Sequence, residues 1–166
     1  MRTETSVIRP ATSADRDAIW SILEPVFRAG DTYAIDPDIS RDAGLDYWFS
    51  SEKTVFVFED EAGILGTYYI KQNQAGGGAH VCNCGYITSE QARGRGVAGR
   101  MCEHSQRVAV ELGFRAMQFN FVVSTNEGAI RLWKKLGYEI VGNLPHAFRQ
   151  SSGSYVDAHV MYKALA

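Results

Sequence analysis

Residues 80–112 pass from an apolar strand through a glycine-rich turn into a helix with no spacer between them, and this segment narrows the choice of fold more than any other. The turn reads Arg93-Gly94-Arg95-Gly96-Val97-Ala98-Gly99-Arg100. Glycines let the backbone approach a ligand closely, and the first N–H groups of the helix behind them have no carbonyl partner within the helix. The helix dipole adds a favourable field for an anion at that end. Three arginines fall within these eight residues, in a chain whose net charge is only −2. The segment reads as a phosphate-binding turn. Its bland reading is a glycine-rich loop with solvated arginines.

The same residues contain Gly94-x-Gly96-x-x-Gly99, the spacing of a dinucleotide fingerprint. A Rossmann unit also needs an acidic residue about 20 positions on, at the end of the next strand, to hold the ribose. The next strand here runs Gln118-Phe119-Asn120-Phe121 and ends without an acid. A Walker-type P-loop is excluded because no Gly-Lys-Ser/Thr follows the glycines.

The flanking sequence supplies the other elements. Val7 to Pro10 is a short strand. Thr12 or Ser13 caps a helix whose stripe is Ile19, Ile22, Leu23, Val26 and Phe27. Pro25 lies within that stripe and should bend or end the helix. Asp31 to Ile39 is loop-like, and Ser40 caps a second helix carrying Leu45, Trp48 and Phe49. Val55–Phe58 and Ile64–Ile70 flank an acidic, glycine-containing turn and form a hairpin. Gly76–Gly78 is a second hairpin loop, and His80–Thr88 is the fourth strand. The next helix places Val97, Met101, Val108 and Leu112 on one face, with Gly113 as its terminating glycine. Ala116–Val123 is a fifth strand. Asn126 opens a helix through Leu136, closed by Gly137. Tyr138–Val141 and Tyr155–Tyr162 are the last strands. The pattern is an α/β domain of the α+β type spanning residues 1–166, with a mostly antiparallel sheet of about seven strands and one parallel crossover.

Apolar residues make up 45% of the chain and charged residues 22%, as in soluble globular domains. The near-neutral balance gives no electrostatic footprint for nucleic acid. No apolar run reaches the roughly 18 residues of a membrane helix, and Met1–Ser6 is too polar for a secretory signal. Three cysteines, an odd number, argue against a disulfide framework and for a reducing, cytoplasmic setting. His80, Cys82 and Cys84 alternate along a strand. Neighbours two apart are separated by about 6.8 Å, too far for three ligands to gather on one zinc ion, so no metal is expected.

Arg93-x-x-Gly96-x-Ala98 resembles the acetyl-CoA pyrophosphate motif of the GCN5-related N-acetyltransferases, the GNAT family. Asn126-Glu127-Gly128-Ala129-Ile130-Arg131-Leu132-Trp133-Lys134-Lys135-Leu136-Gly137-Tyr138 resembles that family's second signature, about thirty residues on. Segments Leu65–Lys71, His80–Gly85, Phe119–Asn126 and Leu144–Ala147 are further similar to fungal proline-analogue (azetidine-2-carboxylate) N-acetyltransferases.

The resemblance implies a GNAT fold with helices on both faces of the sheet and splayed fourth and fifth strands. It implies acetyl-CoA as cosubstrate and a small-molecule amine, an amino acid or cyclic imino acid, as acceptor, with no nucleic-acid or membrane partner. A homodimer is common among similar proteins. Tyr86, Ile87 and Thr88 would pair with the pantetheine arm. The amides of Arg93, Gly94, Arg95, Gly96, Val97, Ala98 and Gly99 would hold the pyrophosphate. Asn126 would hold the cosubstrate or simply cap its helix. Asn83 would grip the acceptor's carboxylate or amine, and Asn120 would position the acceptor or the thioester carbonyl. As a structural alternative, either Asn could bridge backbone groups left unpaired by the splay.

Many relatives carry a glutamate near the fourth strand as base, but here no acid lies between Glu61 and Glu90. Water or His80 is what remains to take the amine proton. The family's usual tyrosine acid is replaced by Trp133, whose N–H does not titrate usefully. Tyr33, Tyr47, Trp48, Tyr68 and Tyr69 are candidates for shaping the acceptor pocket or for plain core. The missing base and acid keep open a second reading, a non-catalytic acetyl-CoA-binding sensor module.

Overall fold

The computed structural model describes residues 5–165. Of the polar N-terminal segment, residues 1–4 lie outside the described range. The elements are β1 (Val7–Pro10), α1 (Arg16–Ala29), α2 (Arg41–Trp48), β2 (Thr54–Asp60), β3 (Gly63–Gln72), β4 (Val81–Thr88), α3 (Val97–Glu111), β5 (Ala116–Val123), α4 (Glu127–Lys135), β6 (Glu139–Arg149) and β7 (Tyr155–Ala164). They build one seven-stranded sheet in the order β1-β2-β3-β4-β5-β7-β6. Every neighbouring pair is antiparallel except β4–β5. This is the mixed α/β architecture expected from the sequence.

Alternation along the strands sorts side chains onto two faces. Tyr69 and Ile87 pack with Ile19, Leu23 and Phe27 of α1 and with Leu45 and Trp48 of α2. Tyr68, Ile70, Cys82 and Cys84 pack with Val97, Met101 and Cys102 of α3 and with Trp133 of α4. Helices therefore cover both faces, as an apolar two-sided sheet requires.

Thr12 stands at the start of a single 3₁₀ turn, Ser13–Asp15, that leads into α1. The cap is made chiefly by Asp15, whose carboxylate accepts from the Thr12 N–H at 2.7 Å. Both Asp15 oxygens also accept from Arg9, at 2.8 and 2.9 Å, tying β1 to this helix start.

Helix α1 does not end at Pro25 but runs to Ala29, where Gly30 adopts a left-handed conformation with φ of 68°. Pro25 and Ser21 are both exposed, so the Ser21 carbonyl left without a donor faces solvent, where water can satisfy it. Leu112 is likewise not part of the apolar face of α3. It is 57% exposed at the C-cap. A Schellman turn explains this. Gly113 N–H bonds to the Val110 carbonyl and Phe114 N–H to the Ala109 carbonyl, so Phe114 folds back onto the core in place of Leu112. Strand β6 extends well beyond Val141, through two register irregularities, to Arg149. It is an edge strand with most residues exposed, which removes the alternation that would have marked its length.

Candidate active site

Strands β4 and β5 pair only at Val81–Ala116 and Cys82–Met117; beyond these they separate. On the other side β4 stays paired with β3 from Cys82 to Thr88. The Val81 carbonyl bonds to Asn73 and the Ser89 N–H to Leu65, both toward β3, whereas the His80 carbonyl bonds to Arg115 at the start of β5. Odd-numbered residues of β4 thus spend their backbone groups on β3. Cys84, Tyr86 and Thr88 turn theirs into the gap.

A cavity of about 640 Å³ passes through this opening. On the α1/α2 face it is lined by Thr32, Tyr33, Tyr47, Tyr69, Lys71 and Asn83. On the α3/α4 face it is lined by Arg93, Ala98, Asn126, Leu132 and Trp133, with Tyr86 and Phe119 between. Tyr33 donates from its hydroxyl to the Tyr86 carbonyl at 3.2 Å, so the α1–α2 loop reaches the backbone of the gap. Gly85 permits the roof of the cavity: a Cβ there would stand 2.6 Å from the Tyr69 ring.

At the α3 end, Gly94 and Gly96 have φ of 75° and 72°, values at which a side chain is strained. A Cβ on either would meet no protein atom within 4 Å. The glycines are therefore required by backbone conformation, and the space beside them is open. The N–H groups at the start of α3 lie beyond the reach of any i−4 carbonyl of that helix. The three arginines do not act together. Arg95 donates to Asp60 at 2.7 Å, pinning the turn to the β2–β3 hairpin and holding the Asp60 carboxyl below its ordinary range. Arg100 donates to Ser6 at 2.6 Å and lies over the Phe58 ring. Only Arg93 of the three lines the cavity.

The remaining expected residues divide. Tyr86, Thr88, Ala98, Asn126, Asn83 and Asn120 line the cavity. Ile87 does not. Its side chain is 4% exposed among the α1/α2 core residues, and its backbone faces β3. His80 does not either, because it sits in the exposed turn before β4, at the end where β4 and β5 are still paired. Asn126 makes no side-chain cap bond, leaving its amide free at the cavity wall. Asn120 is exposed, accepts from Gln118 and donates to Asn73 at 2.7 Å. It thereby bridges β5 to the β3–β4 loop.

Asn83 is buried, and its Nδ2 donates to the Gln118 carbonyl at 2.9 Å, one step past the last β4–β5 ladder pair. The bridging role considered for it is real. Because the partner is a carbonyl, the nitrogen must face β5, which leaves Oδ1 and the second amide hydrogen without a protein partner.

Among the described residues, no Asp, Glu or His lines the cavity. Cys84 is, but burial pushes its thiol well above the ordinary value, so it carries little thiolate. Burial likewise raises the phenols of Tyr33, Tyr69 and Tyr86. Trp133 packs between Tyr86 and Phe119, with ring centroids 5.1 Å from each. Tyr33, Tyr47 and Tyr69 line the half of the cavity on the α1/α2 face, while Trp48 and Tyr68 are fully buried core. Sequence reading missed Lys71, whose place in the cavity follows from its register opposite Asn83.

A family model described as the acetyltransferase (GNAT) family matches residues 16–138. The N-acetyltransferase aca1 of Schizosaccharomyces pombe is 29% identical over 148 residues, spanning 79% of this chain and 71% of that protein. A GCN5-related N-acetyltransferase from Kribbella flavida is 36% identical, superimposes with a TM-score of 0.90, and is covered to 97% by 96% of this chain. A phosphinothricin acetyltransferase from Sinorhizobium meliloti, solved in complex with AcCoA, shares the fold at a TM-score of 0.84 and 21% identity, with 98% of this chain covering 89% of that one.

Proposed function

The chain belongs to the GNAT acetyltransferase family, and from that premise we propose that it is an acetyl-CoA-dependent N-acetyltransferase acting on a small amino acid or cyclic imino acid. The observation that carries this reading is the cavity through the sheet. An anion-receptive helix start opens one mouth, and polar side chains line the other. A thioester lying in the β4–β5 gap would meet an amine entering from the α1/α2 face.

The residues present suit acetyl-CoA. The N–H groups from Gly96 to Gly99 and the Arg93 guanidinium would take the pyrophosphate, and the backbone of Cys84, Tyr86 and Thr88 would take the pantetheine arm as an added strand. Asn126 would bond to the same arm near the start of α4. When bound, acetyl-CoA supplies the acetyl group, which passes to the amine as the CoA thiolate leaves. Asn83 Oδ1 would accept from the incoming amine, and Asn120 would hold the rim through its bond to Asn73. Water would take the amine proton, since among the described residues no carboxylate or imidazole lines the cavity. A thiol with pKa of about 8.5 departs without an acid, so Trp133 acts by packing. The similarity of Leu65–Lys71 and Phe119–Asn126 to proline-analogue acetyltransferases supports the choice of acceptor.

The lack of a lining base favours a second reading, an acetyl-CoA-binding sensor module. CoA release with azetidine-2-carboxylate, proline analogues, free amino acids, polyamines and aminoglycosides separates these. Turnover on amino or imino acids is expected. Activity confined to polyamines or aminoglycosides would refute the acceptor, and acetyl-CoA binding without release would establish the sensor.

A further inference from the structure

Sequence alone allows Asn83 to meet either the acceptor's carboxylate or its amine. The hydrogen bond from Asn83 Nδ2 to the Gln118 carbonyl spends one of the two amide hydrogens on β5 and leaves Oδ1 without a protein partner, an acceptor that suits an amine N–H and repels a carboxylate. A carboxylate is better served by a cation. Lys71 stands directly opposite Asn83 in the β3–β4 ladder. Directly paired residues present their side chains on the same sheet face, with Cα atoms about 5.5 Å apart in a hydrogen-bonded pair. Both side chains line the cavity on the α1/α2 side.

We infer that Lys71 and Asn83 form an α-amino-acid recognition pair, with the acceptor carboxylate on the Lys71 ammonium and the amine held at Asn83 Oδ1 beside the gap. This rests on the N-acetyltransferase reading above and assigns its specificity to Lys71. Among the described residues, Lys71 has no hydrogen bond or ion pair of its own. A second cation lies close by. The Lys53 ammonium sits 3.6 Å from the Tyr47 ring centroid and 4.3 Å from that of Tyr69, and it donates to the Tyr47 carbonyl. Burial, and then repulsion from Lys71, push it down to about 8 against a smaller opposing effect of exposed Glu52. The exposed Glu52 carboxylate acts on both ammonium groups but forms no ion pair with either, and a carboxylate bound at Lys71 would relieve the repulsion that remains. Neutralising the carboxylate also removes the charge that holds a zwitterion's amine protonated. The free lone pair is thereby favoured in a cavity where none of the described lining residues is a carboxylate or imidazole.

The test compares azetidine-2-carboxylate and proline with their carboxamides in the 166-residue chain and its Lys71→Met and Lys71→Arg variants, with acetyl-CoA affinity measured by calorimetry. The wild type should favour each acid over its amide. Lys71→Met should lower kcat/KM on the acids about ten- to hundredfold, the range of one hydrogen bond to a charged group. The acid-to-amide ratio should fall towards one, acetyl-CoA affinity should be unchanged, and Lys71→Arg should restore much of the preference. A wild type indifferent to the amide, or a Lys71→Met loss equal on acid and amide, overturns the pairing while leaving the acetyltransferase reading intact. A wild type that releases CoA with no amine overturns that reading, and the pairing with it.

Discussion

Replacing Asp15 by Asn should remove a specific acid-sensitive part of this fold. The carboxylate accepts two bonds from Arg9 and one from the Thr12 N–H, and its side chain is 9% exposed. Hydrogen bonding from Arg9 is the leading cause that lowers its pKa from 3.8 to about 2. A folded value below the unfolded one means that the stabilisation is fully present above about pH 4. It is lost as the pH falls through the folded value, where both states are protonated. The shift corresponds to about 2 kcal/mol. Asp31, Glu52, Asp60 and Asp157 are also held low, but they titrate in both proteins and cancel in the difference. Urea midpoints for wild type and Asp15→Asn should differ by the equivalent of about 2 kcal/mol at pH 6, and the gap should close as the pH approaches 2. Arg9 retains Glu59 as a partner in the variant, so the fold should persist. Parallel curves across the whole acid range would show that the Arg9–Asp15 pair contributes nothing that depends on charge.

Gly85→Ala puts a Cβ 2.6 Å from the buried Tyr69 ring. Tyr69 is held against Trp48 at 4.8 Å, so overpacking should cost about 1–3 kcal/mol and raise KM for the acceptor more than for acetyl-CoA; unchanged urea midpoints would refute the contact. Gly96→Asn should be tolerated at φ of 72° better than Gly96→Val. Since no protein atom lies near that Cβ, wild-type acetyl-CoA affinity by calorimetry in a folded Gly96→Val protein would sink the pyrophosphate assignment. Trp133→Phe should keep the fold and lose less than about a hundredfold in kcat, the most that one hydrogen bond to a thiolate supplies. A greater loss with chemistry rate-limiting would give Trp133 a larger part than packing.

The fold was legible in the sequence wherever apolar periodicity met a clear stop. Gly113 and Gly137 end helices α3 and α4 with φ of 91° and 101°, as read from their positions. Of the two outcomes Pro25 allowed, the helix does not end there, because the cost of the lost donor depends on whether the abandoned carbonyl faces water. Leu112 misled because a Schellman turn substitutes Phe114. The glycine turn at 93–99 and the helix start behind it were visible in the sequence, but the diversion of Arg95 to Asp60 and of Arg100 to Ser6 was not, since both partners are distant in the chain. Asn83 was marked by being polar in an apolar strand. Its orientation and its neighbour Lys71 depend on ladder register, which a single strand's sequence does not specify. His80 lies one residue before β4, within the boundary error of any such reading, and that one residue separates a strand-lining side chain from an exposed turn.

Direct transfer across the gap can be tested by single-turnover chemistry with acetyl-CoA carrying an isotope-labelled acetyl group. Enzyme in excess is mixed with labelled acetyl-CoA and an imino acid, quenched over time, and analysed as intact protein and as small molecules by mass spectrometry. Cys84 lines the cavity and is the one thiol there that a covalent route would use, but its raised pKa keeps it protonated. The label should pass from CoA to the acceptor nitrogen with one free CoA per product and without appearing on the protein at any time. Label on Cys84 that forms and decays at the rate of product formation would contradict direct transfer.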